Sequence, residues 1–279
     1  MKTIIVPVDF SKYSEYALNA AAILAKKYNS EIIILHMLEL STVHAYGEET
    51  QKDHVEKELY YTKLAEKKFD EFLSKDYLNG ISVTPIIRNF KVFSELGEVA
   101  EQNQADLIVM GSKGSSGLTE FFIGSNTEKV VRHSEIPVLV IKDKPLNWDV
   151  NKIVYATDFS EESTPSFIAA MSLLDSLNAE VQLLYVNVPG EGFRDSDEME
   201  WTVETFLEQA EGNLDRINNV HYIADKSAEK GILKYAQKVN ADIVAVTTHG
   251  RTGLARFFEG SISEDLVNHS KFAILTFKI

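Results

Sequence analysis

Residues 105–114 read ADLIVMGSKG, and 136 residues later residues 241–250 read ADIVAVTTHG. In each copy a short apolar run leads into a polar loop that ends in glycine. After nine further residues a Gly-Ser pair follows, at Gly124-Ser125 and again at Gly260-Ser261. Aligned without gaps, residues 105–142 and 241–278 share 15 identities in 38 positions. A match of this length predicts that the chain contains the same domain twice.

The beginning of the chain repeats as well. Residues 4–11, IIVPVDFS, return at residues 153–160 as IVYATDFS. The 279 residues are enough for two domains of about 140 residues, each able to bury a core. We therefore predict a first domain at 1–143, a polar linker at 144–150 and a second domain at 151–279.

The composition excludes several classes of function. The net charge is −14 and there is no cysteine. An acidic chain does not favour a nucleic acid or an anionic membrane surface as a partner. The lack of cysteine excludes disulfides, thiol catalysis and cysteine-based zinc sites. No apolar stretch is long enough to span a membrane, and the N-terminal residues do not resemble a signal peptide, so we expect a cytoplasmic protein.

Short β-branched runs alternate with helical patterns in both halves. In the first half the runs lie near residues 3–8, 31–37, 81–87, 106–110 and 137–141, and they are typical of strands buried on both faces of a parallel sheet. Helices are expected at 12–28 and 51–75, and a long one at 199–217, whereas the charged run 191–200 is expected to be a solvated loop. This alternation predicts an α/β fold with an open, doubly wound sheet in each domain. The apolar last strands favour a pseudo-twofold pairing of the two domains.

The repeated glycines point to an anion site in the first domain. Asp9 ends the first strand and Gly111 follows the fourth, so both are expected at the carboxyl edge of the sheet, where ligands bind in such folds. Gly124 and Ser125 precede a helical pattern, and a helix N-terminus suits a phosphate group. The alternative is that the glycines form turns and that Asp9 and Ser11 merely cap the first helix.

With these residues in place, the chain resembles the universal stress protein family over essentially its whole length. The family signature Gly-x-x-Gly-(x9)-Gly-Ser/Thr is matched by Gly111, Gly114, Gly124 and Ser125. The resemblance implies five-stranded domains of the adenine nucleotide alpha hydrolase type, with strand order 3-2-1-4-5 and with ATP or a related adenine nucleotide bound where the motif is kept. The nucleotide-binding residues that it implies are Val8, Asp9, Met37, Met110, Gly111, Lys113, Gly114, Gly124, Ser125 and Asn126.

The second domain matches the signature less completely. Thr247 stands where the first domain has Gly111, and its β-branched side chain adds bulk where a ribose would approach. The residues of a second, less complete site are Asp158, His249, Gly250, Gly260 and Ser261. Either a nucleotide shifts in this site or the site is empty.

The resemblance favours a stress-response regulatory protein that binds an adenine nucleotide, with or without Mg²⁺, mainly in the first domain. Two alternatives stay open: an interaction protein with vestigial sites, and a slow ATPase. No catalytic residues and no protein metal site are predicted, since no base that could activate water is identifiable and the histidines are scattered. A protein partner is expected but its identity is open, as is assembly into a homodimer.

Overall fold

A computed structural model describes residues 1–38, 51–89, 95–113, 124–145, 148–190, 192–248 and 272–278. The described residues form two compact units, the first within 1–145 and the second within 148–278. Each unit is an α/β domain built around parallel strands.

The first unit has five strands and four helices. In chain order they are β1 (Thr3–Val8), α1 (Lys12–Tyr28), β2 (Glu31–Leu38), α2 (Gln51–Leu73), β3 (Val83–Asn89), α3 (Glu95–Gln102), β4 (Leu107–Gly111), α4 (Ser125–His133) and β5 (Val138–Ile141). The strands are parallel and lie in the order β3-β2-β1-β4-β5. The predicted fold class and the strand order 3-2-1-4-5 are confirmed here.

The second unit repeats this plan. Its elements are β6 (Lys152–Ala156), α5 (Thr164–Ser176), β7 (Glu180–Asn187), α6 (Ser196–Glu211), β8 (Val220–Ala224), α7 (Ala228–Val239), β9 (Ile243–Thr248) and β10 (Ala273–Lys278). The strands lie in the order β8-β7-β6-β9-β10, which is the order of the first unit in its own numbering. The predicted pairing of the two units through their last strands stays a prediction.

The central strands carry the core because both their faces are covered. Every residue of β1, β4 and β5 is buried. Helix α1 packs across β1 and β4 through an alanine-rich face that includes Ala17, Ala21 and Leu24, all at most 1% exposed. Small side chains let this helix come close to the sheet, which matters for the site described below.

The repeated Ala-Asp pair ties two central strands together at their beginning. Asp106 accepts hydrogen bonds from the backbone amides of Lys2 and Thr3 (3.0 Å for Thr3), just ahead of and at the start of β1. In the second unit Asp242 accepts from Asn151 and Lys152, both at 2.9 Å. These bonds fix the register of β1 against β4 and of β6 against β9, so the opposite ends of the strands also have a defined alignment.

Three local predictions from the sequence are wrong. Strand β3 is not buried on both faces: Thr84, Pro85 and Arg88 are exposed, since β3 lies at the edge of the first unit's strand order, where proline is tolerated. Helix α6 stops at Glu211, well before residue 217, because Gly212 adopts a left-handed conformation with φ of 71°. The run 191–200 is not all loop, since Asp195 and Glu198 form a capping box that starts α6.

No helix among the described residues is long and apolar enough to cross a membrane.

Candidate functional site

The carboxyl ends of β1, β2 and β4 meet at one edge of the first unit. β1 pairs in parallel with both β2 and β4. The predicted site residues Val8, Met110 and Gly111 are brought to this edge by the strands that contain them, with Asp9 directly after β1 and Met37 near the end of β2. Val8 and Met110 are buried, at 5% and 4% exposure, so they supply backbone and packing rather than polar side chains.

Gly111 permits close contact between the end of β4 and the first turn of α1. A Cβ atom at this position would lie 2.7 Å from both the carbonyl carbon and oxygen of Tyr13 and 2.9 Å from its Cβ. Real Cβ atoms do not approach backbone atoms that closely, so any larger residue would push the helix away. The sequence predicted that this glycine makes room for a ligand; the structure shows that it makes room for α1.

Two hydrogen bonds hold the beginning of α4 against the end of β4. The amide of Gly124 donates to the carbonyl of Ser112 at 2.9 Å. The buried hydroxyl of Thr127 donates to the carbonyl of Gly111 at 2.8 Å. The two ends of the glycine loop are therefore fixed to each other, and the N-terminus of α4 stands beside β4.

This N-terminus presents unpaired donors. Gly124 is the N-cap residue of α4 and has no side chain that could cap the helix. Within the described part of the chain the amides of Ser125 and Asn126 have no acceptor, as is normal for the first turn of a helix. Such amides, together with the positive end of the helix dipole, stabilise an anion.

Asp9 and Ser11 have the local roles that the alternative interpretation assigned to them. Asp9 Oδ1 accepts the amide of Ser11 at 3.0 Å, and Ser11 Oγ accepts the amide of Ser14 at 3.3 Å, which caps α1. Phe10 between them has a φ of 61°. The same turn recurs in the second unit, where Asp158 Oδ1 accepts the amide of Ser160 at 3.0 Å. The repeated Asp-Phe-Ser triplet is thus a turn that starts a helix.

His36 is a residue of this edge that the sequence analysis missed. Its Nδ1 lies 2.7 Å from the carbonyl oxygen of Val8, and its ring lies 4.5 Å from that of Phe10. Burial lowers the pKa of His36, so the ring is neutral at pH 7 and Nδ1 donates to Val8 as the protonated nitrogen. Phe69 of α2 completes the packing, 5.2 Å from Phe10. His36 therefore fixes the end of β1 and the direction of the turn that contains Asp9.

Three lysines place positive charge near this edge. The Nζ atoms of Lys12 and Lys113 lie 5.0 Å and 5.9 Å from the centre of the Tyr13 ring. Lys142 follows the last residue of β5, whose carbonyl accepts the amide of Ser112 at 2.9 Å. Burial lowers the pKa of Lys142 to about 7; the charge of Lys113 adds to this, and Asp143 opposes it. An anion bound here would favour the charged form of Lys142.

The corresponding edge of the second unit is built differently. Residues Glu161–Ser163 form a 3-10 turn ahead of α5, whereas α1 is helical from Lys12. Thr247 lines a cavity of about 60 Å³ together with Asp158, near the ends of β6 and β9. Ligand pockets in proteins usually measure about 300–1,000 Å³. The volume of this cavity is well below that range.

Five of the predicted site residues lie outside the described part of the chain: Gly114, His249, Gly250, Gly260 and Ser261. Among the residues that are described, no group of three or more histidine, aspartate or glutamate side chains could hold a metal ion.

Comparison with known proteins places this geometry in a family. The model of the universal stress protein family matches residues 1–142 and again 150–278. A protein of Staphylococcus saprophyticus named as a universal stress protein is 27% identical over 171 residues, covering 58% of this chain and 95% of its own. A Staphylococcus aureus relative of the same name is 26% identical over 172 residues, covering 58% of this chain and 96% of its own.

Solved structures show the same fold over the whole chain. The crystal structure of a universal stress protein from Archaeoglobus fulgidus has a TM-score of 0.66 and 21% identity, covering 99% of this chain and 96% of that one. A Pseudomonas aeruginosa structure also named as a universal stress protein has a TM-score of 0.63 and 19% identity, covering 100% and 93%. Because the family model matches nearly all of the sequence in two consecutive copies, the chain belongs to the universal stress protein family.

Proposed function

We propose that the first domain binds ATP or a related adenine nucleotide at the carboxyl ends of β1 and β4, and that the bound nucleotide regulates the protein in the stress response. The observation that carries this proposal is the attachment of the α4 N-terminus to β4. The bonds from Gly124 to Ser112 and from Thr127 to Gly111 hold two unpaired amides at the edge where Asp9 also lies. A cytoplasmic location and a protein partner are part of the same proposal.

The chemistry of the edge fits a nucleotide in two respects. The amides of Ser125 and Asn126 provide donors for phosphate oxygens, and Lys12 and Lys113 add positive charge nearby. The ends of β1 and β2 offer a buried apolar floor at Val8, with the backbone near Met37 available to the edge of a base. Asp9 would contact the ribose. Met110, Gly111 and Lys113 would lie along the phosphates.

The residues at this edge favour a regulatory role for the bound nucleotide over its catalytic hydrolysis. One carboxylate oxygen of Asp9 already accepts the amide of Ser11, and His36, the histidine described at this edge, is engaged with Val8. Neither group is arranged to activate a water molecule. A Mg²⁺ ion, if it accompanies the nucleotide, would be held mainly by the phosphates, since the described residues contain no ligand cluster.

Calorimetric titration with ATP tests the proposal. Wild-type protein should bind one equivalent, and Gly124→Val should lose binding, because a branched side chain at the N-cap blocks the approach of a phosphate to the α4 amides. The matched control is Gly192→Val, a glycine of the second unit whose added Cβ would meet nothing within 4 Å. Circular dichroism of both variants checks that they fold.

The outcomes separate the open alternatives. No heat with the wild type rules out nucleotide binding and leaves an interaction protein with vestigial sites. Unchanged binding by Gly124→Val contradicts the proposed position of the site. Phosphate release measured in parallel should be negligible; steady release that Gly124→Val abolishes would instead establish the slow ATPase.

A further inference from the structure

A groove at the carboxyl ends of β7 and β8 in the second unit carries several positively charged side chains. It has a volume of about 570 Å³, within the usual range for small-molecule sites. Lys226, Lys230 and Lys234 line it at intervals of four residues, and Asp225 is the acidic residue on its wall. The described residues that line it include three lysines and one aspartate, which together carry a net charge of +2.

This charge is unusual for its surroundings. Residues 144–279 contain 12 basic and 21 acidic side chains. Three of those 12 basic side chains line a single cavity, whereas an acidic domain would be expected to spread its lysines among its carboxylates. Lys234 Nζ forms an ion pair with Asp225 Oδ2 at 2.5 Å. Within the described residues neither Lys226 nor Lys230 forms an ion pair. Lys226 precedes the N-cap residue of α7, and Lys230 lies in the first turn of this helix.

The walls of the groove are held in place by specific contacts. Gly231 lets α7 pack directly on β7, because a Cβ at this position would lie 2.6 Å from Val186 Cγ1. Across the groove, the buried side chain of Asn187 donates to the carbonyl of Arg194 at 2.7 Å and accepts the amide of Arg194 at 3.2 Å. These two bonds fix the segment that carries Phe193. The lysines and Phe193 therefore line the same groove.

Phe193 supplies an aromatic surface to the same groove. Its side chain is 60% exposed, although the backbone around it is fixed. An exposed phenylalanine beside unpaired lysines matches a ligand that has both a planar apolar part and a negatively charged group. We propose that this groove binds a small organic phosphate ester with an aromatic group, its phosphate between Lys226 and Lys230 and its ring against Phe193.

Phenyl phosphate is the probe that tests this site on the full chain, by calorimetry in low salt. The wild type should bind it saturably, and the double variant Lys226→Gln/Lys230→Gln should bind it at least tenfold more weakly, since each charge-assisted bond contributes appreciably. The matched control is Lys238→Gln, which removes a lysine from the same helix but not from the groove.

A second pair of titrations tests the aromatic contact. Phe193→Ala should weaken phenyl phosphate about fivefold and leave inorganic phosphate unchanged. The proposal is overturned if phenyl phosphate does not bind, or if Lys238→Gln weakens its binding as much as the double variant does. It is also overturned if phenol binds as well as phenyl phosphate, since the phosphate would then contribute nothing. Failure of these tests leaves the nucleotide site of the first domain unaffected.

Discussion

Replacing Gly111 by alanine should destabilise the first domain, although the same change stabilises a protein where the backbone and the surrounding space accept alanine. The added Cβ would lie 2.7 Å from two backbone atoms of Tyr13, and a backbone cannot move aside as a flexible side chain can. Overpacking of this kind costs about 1–3 kcal/mol. The lower entropy of the unfolded alanine chain returns about 0.4–1 kcal/mol. We expect a net loss of about 1–2 kcal/mol in the free energy of unfolding.

Gly97→Ala is the matched control for this change. Gly97 lies in α3 of the same unit, and a Cβ there would meet nothing within 4 Å. The same chemical change should therefore raise stability by about 0.5–1 kcal/mol. Urea unfolding followed by circular dichroism measures both variants, which should shift the midpoint in opposite directions. If Gly111→Ala shifts it upward, or both variants shift it equally, the packing role assigned to Gly111 is wrong.

Three further changes probe the same framework. Thr127→Val removes the hydroxyl that donates to the carbonyl of Gly111 and should cost about 1–3 kcal/mol in urea unfolding, whereas Thr127→Ser should restore most of it. Burial lowers the pKa of Lys142 to about 7 from 10.5. Between these two pH values the unfolded chain binds more protons than the folded protein, so the stability of the wild type rises with pH. Lys142→Met should remove this pH dependence of the free energy of unfolding. It should stabilise the protein by at most about 4 kcal/mol at pH 7 and not at all above pH 10.5. An unchanged pH dependence in the variant would contradict the burial of Lys142. Thr247→Gly should produce no second ATP-binding event in calorimetry and should lower stability by about 1–2 kcal/mol, and a second event would refute the account of the second domain given below.

Much of the fold was predictable because its signals are local. The strands β1, β2, β4 and β5 coincide within one or two residues with apolar runs in the sequence, and α1 begins and ends where its pattern predicted. The end of α6 was missed because an apolar spacing of three and four residues continues beyond Gly212. There the conformational preference of one glycine outweighs the periodicity, and the glycine itself was the available signal.

The site was less predictable because its contacts join distant parts of the chain. His36 has no motif around it, and its role arises from the carbonyl of Val8 and from a ring of α2, neither of which is near it in sequence. The reason for Gly111 also lies elsewhere, in the backbone of Tyr13. A sequence pattern indicates that a glycine is required, but which atom requires it depends on the packing of α1 against β4.

The difference between the two domains follows from that same contact. If the last residue of β4 must be glycine so that α1 can begin at once, then a threonine at the equivalent position requires a different start to the helix. In the second unit α5 is preceded by the 3-10 turn Glu161–Ser163. The hydroxyl of Ser160, aligned with the capping Ser11, has no hydrogen-bond partner among the described residues. Tyr155 takes the place of Val6 and fills space next to Thr247, with its buried hydroxyl beside the threonine but not aligned for a hydrogen bond. Thr247 is thus one of several residues by which this edge of the second unit differs from that of the first. Removing its side chain alone would leave the tyrosine and the altered helix start in place, so the difference between the two domains extends beyond the glycine at this position.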